Sequence, residues 1–308
     1  SLPIATDATC SGLQILAGLA LDRSTAELVN VLPSDRPQDA YKVVAEISKP
    51  NIPERLRPYW DRKAVKRSVM TIPYNAKPYS NRSYIKDALR EKGIELDKDE
   101  LTQTVKAVRD AMNQVVPGPM KVMQWIESEI SNKIRTGDTE MIPYTVKDKE
   151  GNKVDKERLA YVNTIIRWLT TSDFEVNQRI MKKHYQRLQL QLLGKCEIRV
   201  ATGDTKEVDY DRHLAATAPN LIHSLDATLL HLAAERFKHP IALIHDSVLC
   251  RATDMTTLSN IVRETYMHIF TDNKYLEVFA EKIKAETKPP IIGDFEPSTV
   301  LKSTYFFC

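Results

Sequence analysis

The sequence has few cysteines, no long apolar run and little excess charge of either sign. Its four cysteines lie far apart and form no CxxC pair, which argues against a zinc site or a disulfide framework and favours reduced thiols in a cytoplasm. No uninterrupted apolar stretch approaches the roughly 18–20 residues of a membrane span, and no basic-then-apolar leader opens the chain. We therefore expect a cytoplasmic protein with no membrane partner.

The charge balance leaves the kind of partner open. Lys and Arg number 44 against 41 acidic residues, for a net charge of +3. This mild bias permits a polyanionic partner without requiring one, so the positions of the charges matter more than their sum. With 308 residues, 42% of them hydrophobic, the chain can bury a sizeable core, and roughly two domains are expected.

The apolar periodicity predicts more helices than strands, which is typical of an α+β fold. Strand-like segments cover residues 2–10 and 241–250, an exposed loop or a hairpin is predicted at 147–158, and a hairpin at 186–200. Helices are predicted at 12–21, 61–70, 100–115, 119–134, 225–237 and 256–270.

Two aspartates interrupt the strand-like segments. Asp7 lies in LPIATDATC and Asp246 in LIHDSVLC. A buried carboxylate is costly unless it is paired or bound to a metal, and two close carboxylates repel each other unless cations lie between them. Neighbouring strands could bring the pair together as ligands of Mg²⁺. Taken alone, such an aspartate is more often an ordinary turn or cap residue.

A basic segment, DRKAVKRSVMTIPYNAKPY at 61–79, forms the second candidate feature. Arg62 and Lys66 are four residues apart and therefore project from one helix face, where two cations suit a triphosphate. Tyr74 follows on a nearby face, and Pro73 should end or kink the helix just before it. By itself, such a basic face could simply be solvated.

The third feature is APNLIHSLDATLL at 218–230. His223 lies between the apolar pair Leu221–Ile222 and a helix that Ser224 or Asp226 could cap. A lone histidine here would more often be a satisfied structural residue, so its interest depends on its neighbours.

Together these motifs resemble the single-subunit, bacteriophage T7-like RNA polymerases within the family-A polymerase superfamily. DATCSGLQ (7–14) is similar to the first palm motif, RKAVKRSVMTIPY (62–74) to the finger-helix motif, and APNLIHSLD (218–226) and LIHDS (243–247) to later motifs. The terminal TYFFC resembles the aromatic C-terminal foot. The resemblance implies a right-hand polymerase palm with a small antiparallel sheet and helical fingers, without the thumb and the N-terminal domain. Residues 1–36 and 223–308 would form the palm and residues 37–222 the fingers.

The resemblance also implies a catalytic centre. Asp7 and Asp246 would hold two Mg²⁺ ions, with the carbonyl of Ala8 assisting. Arg62 and Lys66 would bind the incoming triphosphate and stabilise the leaving pyrophosphate.

Several further residues would surround the nucleotide. Tyr74 would stand at its sugar, His223 would reach a sugar hydroxyl or the minor groove, and Tyr41 would lie near the aspartates. His245 would support Asp246. Gly12 occupies the position at which DNA-making relatives carry a glutamate that blocks the 2′-hydroxyl, so a small residue leaves room for ribose, although a glycine could also simply begin a helix.

The stretch QRLQLQLLGKCEIRV (186–200) resembles a hairpin that reads promoter bases. Arg187, Gln189, Glu197 and Arg199 alternate with apolar residues and should share a face, and Arg and Gln suit guanine and adenine edges. A plain surface hairpin is an equal alternative. Glu197 stands where phage relatives carry a base-reading arginine, so no promoter preference is carried over.

The implied partners are a DNA template, nucleoside triphosphates and the RNA product. Because Ser1 is not a start methionine and Asp7 lies so near it, we expect a missing N-terminal region or a second polymerase subunit, with a split phage enzyme favoured over an organellar one. Pro73 and Asn75 depart from the small residue and glycine usual beside Tyr74, so finger closure is left open. A family-A DNA polymerase and a catalytically silent nucleic-acid-binding scaffold are the alternatives.

Overall fold

The computed structural model describes residues 2–148, 150–190, 196–271, 274–291 and 293–307. Gly194, in the predicted hairpin, and Cys308, in the terminal motif, lie outside the described residues. The helices are α1 (Ser11–Ala20), α2 (Arg23–Leu28), α3 (Ala40–Ser48), α4 (Arg62–Thr71), α5 (Pro78–Arg90), α6 (Lys98–Val115), α7 (Pro117–Arg135), α8 (Tyr210–Arg236), α9 (Met255–Phe270) and α10 (Tyr275–Ile283).

A small antiparallel sheet joins the two ends of the sequence. It contains β1 (Pro3–Asp7), β8 (Ile241–Ile244) and β9 (Ser247–Arg251) in the order β1-β9-β8. The register pairs Asp7 with Ser247, and Ile244 with Ser247 across a two-residue loop. The segment 241–250 is therefore a hairpin rather than one strand, and its loop lies at the same end of the sheet as Asp7.

The other strands form separate two-stranded antiparallel pairs. These are β2 (Thr139–Lys147) with β3 (Lys153–Tyr161), β4 (Ile166–Leu169) with β5 (Glu175–Gln178), and β6 (Met181–Leu190) with β7 (Cys196–Val208). The first pair makes the segment predicted as a loop or a hairpin part of a hairpin, and the third pair contains the strands of the hairpin predicted at 186–200. The second pair was not expected. The helix-rich α+β fold with small antiparallel sheets is thus confirmed.

Helix α1 lies at the centre of the core, and all ten of its residues are buried. It packs against α7 and α8, and the hydroxyl of Tyr266 on α9 donates to the carbonyl of Gln14 at 2.8 Å. The helix predicted at 12–21 is thus confirmed, and its complete burial is typical of a helix that is enclosed on every side. This burial fixes the turn that leads from Asp7 into α1.

The helix predicted at 225–237 begins much earlier than expected. Helix α8 starts at Tyr210 and is capped by Asp209, whose side chain accepts from the amide of Arg212. Ser224 and Asp226 therefore lie inside the helix, and the suggestion that either caps it was wrong. The expected boundary between residues 222 and 223 also falls within α8. Among the described residues, no helix is both long and apolar enough to cross a bilayer.

Candidate active site

Asp7 and Asp246 meet at one end of the small sheet. Asp7 ends β1, and Asp246 immediately precedes Ser247, the residue paired with Asp7. Burial and the negative charge of Asp246 both raise the pKa of Asp7, while the amide of Ala8 donates to its Oδ1 at 2.8 Å. The two carboxylates thus interact across the sheet, as the sequence predicted, although Asp7 is exposed and Asp246 only half-buried.

The loop that carries Asp246 has an unusual backbone. His245 has a φ of 57°, in the left-handed region that non-glycine residues seldom adopt. With Ile244 paired to Ser247, the strands are joined by His245 and Asp246 alone. This tight loop places the Asp246 carboxylate at the tip of the hairpin and leaves His245 exposed.

One polar cleft gathers most of the predicted site residues. Met70 and three residues of the turn between β1 and α1, Thr9, Cys10 and Ser11, complete its wall. The predicted residues that line it are Asp7, Ala8, Gly12, Tyr41, Arg62, Lys66, Tyr74 and Asp246. These residues come from both ends of the chain and from α3 and α4, so the cleft exists only in the folded protein.

Helix α4 presents its cations to the cleft. It begins at Arg62, after Asp61 accepts from the amide of Ala64 at 3.1 Å as the N-cap. Arg62 and Lys66 are exposed, one turn apart, and both line the cleft. The prediction that they project from one face is confirmed.

The end of α4 is set by Pro73, as predicted. The α-helix ends at Thr71, and a 3-10 turn, Ile72–Tyr74, follows it. Asn75 then adopts a left-handed φ of 59°, a conformation in which asparagine is enriched. Its side-chain amide donates to the carbonyls of Leu214 and Ala215 on α8, at 3.1 and 3.3 Å.

The contact between Asn75 and α8 compensates for Pro219. A proline within a helix has no N–H, so the carbonyl four residues earlier loses its usual donor. For Pro219 that carbonyl belongs to Ala215, and the Asn75 amide donates to it. The departure at Asn75 therefore links the turn that carries Tyr74 to α8, which carries His223.

Tyr74 and His223 stack on each other. Their ring centroids lie 4.4 Å apart with an interplanar angle of 8°. Burial raises the pKa of Tyr74, which keeps its hydroxyl protonated, and burial lowers the pKa of His223 despite the opposing charge of Asp246. His223 does not line the cleft itself, so the structure brings it to the site through Tyr74.

Gly12 gives Tyr74 the space for its ring. A Cβ at position 12 would lie 2.7 Å from the Tyr74 hydroxyl and 2.8 Å from the carbon that bears it. Real Cβ atoms do not approach so closely, so any side chain here would displace the tyrosine. The space beside Gly12 is occupied by Tyr74, a reason for glycine that the sequence did not reveal.

Ser11 and Asp226 belong to the site but were not predicted. The Ser11 hydroxyl lies 3.2 Å from the Tyr74 hydroxyl, and its single hydrogen can be donated either to Asp246 Oδ2, at 3.5 Å, or to Asp226. Burial, reinforced by the charges of Asp246 and Asp7, raises the pKa of Asp226 to about 6. The available signal was spacing, since Asp226 lies three residues after His223 and so on a neighbouring part of the same helix surface.

The groups in the cleft that could bind a metal ion are oxygen ligands. In the part of the chain that the structure describes, no group of three or more His, Cys, Asp and Glu side chains has the geometry to hold a metal. Two carboxylates remain, Asp7 and Asp246, and a cation bound between them would relieve their mutual repulsion. Two carboxylates completed by water and substrate phosphates are typical of Mg²⁺ sites, so these residues fit that ion.

The predicted DNA-binding residues lie elsewhere, on the β6–β7 hairpin. Arg187 pairs with Arg199, and Gln189 with Glu197, so all four share a face as predicted. Arg187 forms an ion pair with Glu197 at 3.2 Å, and Arg199 lies over the Tyr185 ring at 4.9 Å. The residues 191–195 between the two strands lie outside the description.

The chain matches a protein family described as DNA-dependent RNA polymerase over residues 1–291. It is similar to the DNA-directed RNA polymerase of Enterobacteria phage K11, with 27% identity over 100% of this chain and 39% of that protein. It shares 30% identity with the chloroplastic DNA-directed RNA polymerase 3 of Nicotiana sylvestris, over 99% of this chain and 31% of that protein. DNA-directed RNA polymerase 2A of Nicotiana tabacum is 28% identical over 99% of this chain and 92% of that protein. The chain therefore spans between 31% and 39% of the first two relatives.

Proposed function

Because the chain belongs to the DNA-dependent RNA polymerase family, we propose that it carries the catalytic centre for DNA-templated RNA synthesis. The observation that supports this is the cleft in which Asp7 and Asp246 face Arg62, Lys66 and Tyr74. Two acidic groups beside two basic groups suit a reaction that moves a phosphoryl group between oxygens. The proposed substrates are nucleoside triphosphates paired to a DNA template, and the product is RNA.

In the proposed reaction, the 3′-oxygen of the RNA attacks the α-phosphorus of the nucleotide, and the bond to the bridging oxygen breaks to release pyrophosphate. Asp7 and Asp246, with the carbonyl of Ala8, would hold two Mg²⁺ ions. Bound there, the ions supply charge stabilisation to the attacking and leaving oxygens of an in-line displacement. The residues themselves contribute position and electrostatics, which supply most of the catalysis in phosphoryl transfer.

Arg62 and Lys66 would bind the triphosphate and stabilise the charge that develops on pyrophosphate. Both are exposed at the start of α4 and line the cleft. The planar guanidinium can contact a phosphate with two parallel hydrogen bonds, whereas the ammonium acts as a point charge. The pair thus offers one orienting and one neutralising contact.

Tyr74, with His223 stacked on it, would contact the ribose. The protonated Tyr74 hydroxyl, near Ser11, can donate to or accept from a sugar hydroxyl. Gly12 supports selection of ribose indirectly, because a larger residue would push Tyr74 from its place. We propose that this arrangement, with Tyr41 also lining the cleft, favours ribonucleotides over deoxyribonucleotides.

Residues 1–36 and 223–308 would form the palm around the small sheet, and residues 37–222 the helical fingers. We propose that the β6–β7 hairpin contacts the DNA through Arg187, Gln189 and Arg199. The remaining surface for the DNA would come from a further polymerase region or from a second subunit.

The test is primer extension with an RNA primer, a DNA template, the four nucleotides and Mg²⁺, together with any further polymerase region or subunit. We expect Asp7→Asn and Asp246→Asn each to lower the rate by more than about 100-fold, because each removes charge that holds the ions. Asp110→Asn, at an exposed position of α6, is the matched control and should stay within about twofold.

Binding of Mn²⁺, followed by electron paramagnetic resonance, gives a second readout that does not require activity. Binding should weaken in both site variants and stay unchanged in the control. Equal extension by the unaltered protein and Asp246→Asn, with equal Mn²⁺ binding, would favour a nucleic-acid-binding scaffold and contradict the proposal. Equal use of ribo- and deoxyribonucleotides would leave catalysis intact but contradict the proposed sugar selection.

A further inference from the structure

The side chain of Arg62 is held by two neighbours that precede it in the sequence. Its Nε donates to Asp39 Oδ2 at 2.6 Å, and its guanidinium carbon lies 4.9 Å from the centre of the Tyr41 ring. Within the described residues, neither terminal nitrogen of Arg62 has a hydrogen-bond partner. The guanidinium is thus held at its Nε edge by Asp39 and on one face by Tyr41, while its two terminal nitrogens remain available to bind a ligand.

Asp39 is itself held in place. Its Oδ1 accepts from the amide of Lys42 at 3.1 Å, which makes Asp39 the N-cap of α3, the helix that also carries the buried Tyr41. The two carboxylate oxygens of Asp39 therefore have different partners: Oδ1 caps α3, and Oδ2 accepts from Arg62. Asp39 and Tyr41 form a rigid support against which an otherwise flexible arginine rests.

Asp39, Tyr41 and Arg62 lie between the cleft and a neighbouring cavity. Arg62 and Tyr41 line the cleft that contains Asp7 and Asp246, whereas Asp39 lines only the neighbouring cavity, together with both of them. Asp39 therefore approaches Arg62 from outside the cleft. A carboxylate in this place can orient the guanidinium without occupying the space where a phosphate would bind.

We propose that Asp39 is a positioning residue that fixes Arg62 through Nε and so directs its terminal nitrogens at the phosphates of the nucleotide. The inference rests on the proposed function of the cleft as a triphosphate site. A guanidinium held in advance loses less conformational freedom when it binds phosphate with two parallel hydrogen bonds. A lysine at position 62 could not use this support, since it has no Nε–H beside a planar fork.

The alternative is that Asp39 competes with phosphate for Arg62 and holds the site closed. The two roles have opposite consequences. A competing carboxylate would weaken phosphate binding, so its removal would tighten binding. A positioning carboxylate bonds Nε and leaves the terminal edge free, so its removal would weaken binding. The contact to Nε favours the positioning role.

The experiment measures the affinity for inorganic tripolyphosphate by titration calorimetry in a cycle of Asp39→Ser and Arg62→Lys. Serine is about as good an N-cap as aspartate, so α3 should be preserved, but its short side chain cannot reach Nε. We expect Asp39→Ser to weaken binding by about 5–10-fold when Arg62 is present, the scale of ordering one long side chain. In the Arg62→Lys background the same change should have an effect below about twofold.

Asp39→Asn serves as the conservative variant, because its amide oxygen can both cap α3 and accept from Nε. It should retain binding within about threefold of the unaltered protein. Tighter binding by Asp39→Ser, or an equal loss in both backgrounds, would overturn the positioning role while leaving the triphosphate site intact. If the unaltered protein does not bind tripolyphosphate, and Lys66→Ala does not change that result, the proposed triphosphate site is overturned. This inference is then overturned with it.

Discussion

The side chain of Asp226 lies in surroundings that disfavour its ionised form. Burial and the charges of Asp246 and Asp7 raise its pKa from 3.8 to about 6. The raised pKa means that ionisation of Asp226 costs folding free energy. This cost is absent below pH 3.8 and is complete once the pH exceeds about 6.

Asp226→Asn should therefore stabilise the protein at neutral pH, by up to about 3 kcal/mol, because the amide carries no charge. Urea unfolding without divalent ions, measured between pH 4 and pH 8, should show the gain growing with pH and nearly vanishing at about pH 4. Asp110→Asn, at an exposed position of α6, is the control variant. A variant less stable than the unaltered protein at pH 7 would contradict this prediction, because the amide oxygen can still accept from Ser11 and only the charge has been removed.

Among the individual residues of the site, some could be predicted from the sequence and others could not, for a physical reason. Arg62, Lys66 and Tyr74 lie on one short segment, so helical spacing alone brings them together. Asp7 and Asp246 became a pair only because each breaks an apolar run. Ser11 and Asp39 carry no such signal, since their roles depend on the contacts that a polar side chain makes in the folded protein.

Helices and strands were predictable where the apolar pattern was periodic. They were less predictable where tertiary contacts determine their ends. The run 241–250 has apolar residues on both sides of His245–Asp246 and no glycine, asparagine or proline in its turn, so the sharp loop was not signalled. Pro219 lies inside α8. The helix continues because Asn75 donates to the carbonyl that the proline leaves without its usual donor.

The β6–β7 hairpin is the element whose function can be tested most directly. Arg199→Ala should weaken binding to duplex DNA by about tenfold, the scale of one arginine contact to a base. Fluorescence anisotropy over a panel of duplexes should show a loss that varies with sequence, whereas a phosphate contact would give a uniform loss and lower the salt slope by about 1. The control is Arg90→Ala, at an exposed site in the last turn of α5. Equal effects of the two changes would argue against a DNA-binding hairpin.

At the scale of the whole molecule, the end of the described chain supports its beginning. Thr9 donates its hydroxyl to the carbonyl of Tyr305 at 2.7 Å, and the side chain of Gln14 donates to the carbonyl of Phe306 at 3.0 Å. Ala8 forms a β-bridge with Phe307. The sequence showed a resemblance of the terminal TYFFC to an aromatic C-terminal foot, but it did not show that the backbone of this segment holds the turn that follows Asp7.

Phe306→Ala tests this support. Phe306 is 1% exposed and packs edge-on against Tyr266 at 5.0 Å between ring centroids. Its removal leaves a cavity beneath α1, so urea unfolding should show a loss of about 3–5 kcal/mol. Because the same segment holds Ala8 and Thr9 beside Asp7, Mn²⁺ binding at a temperature where the variant remains folded should also weaken. Phe174→Ala, at a position 67% exposed, removes an equal side chain without a cavity and should change neither. Destabilisation with unaltered Mn²⁺ affinity would show that the terminal segment stabilises the fold but does not position Asp7.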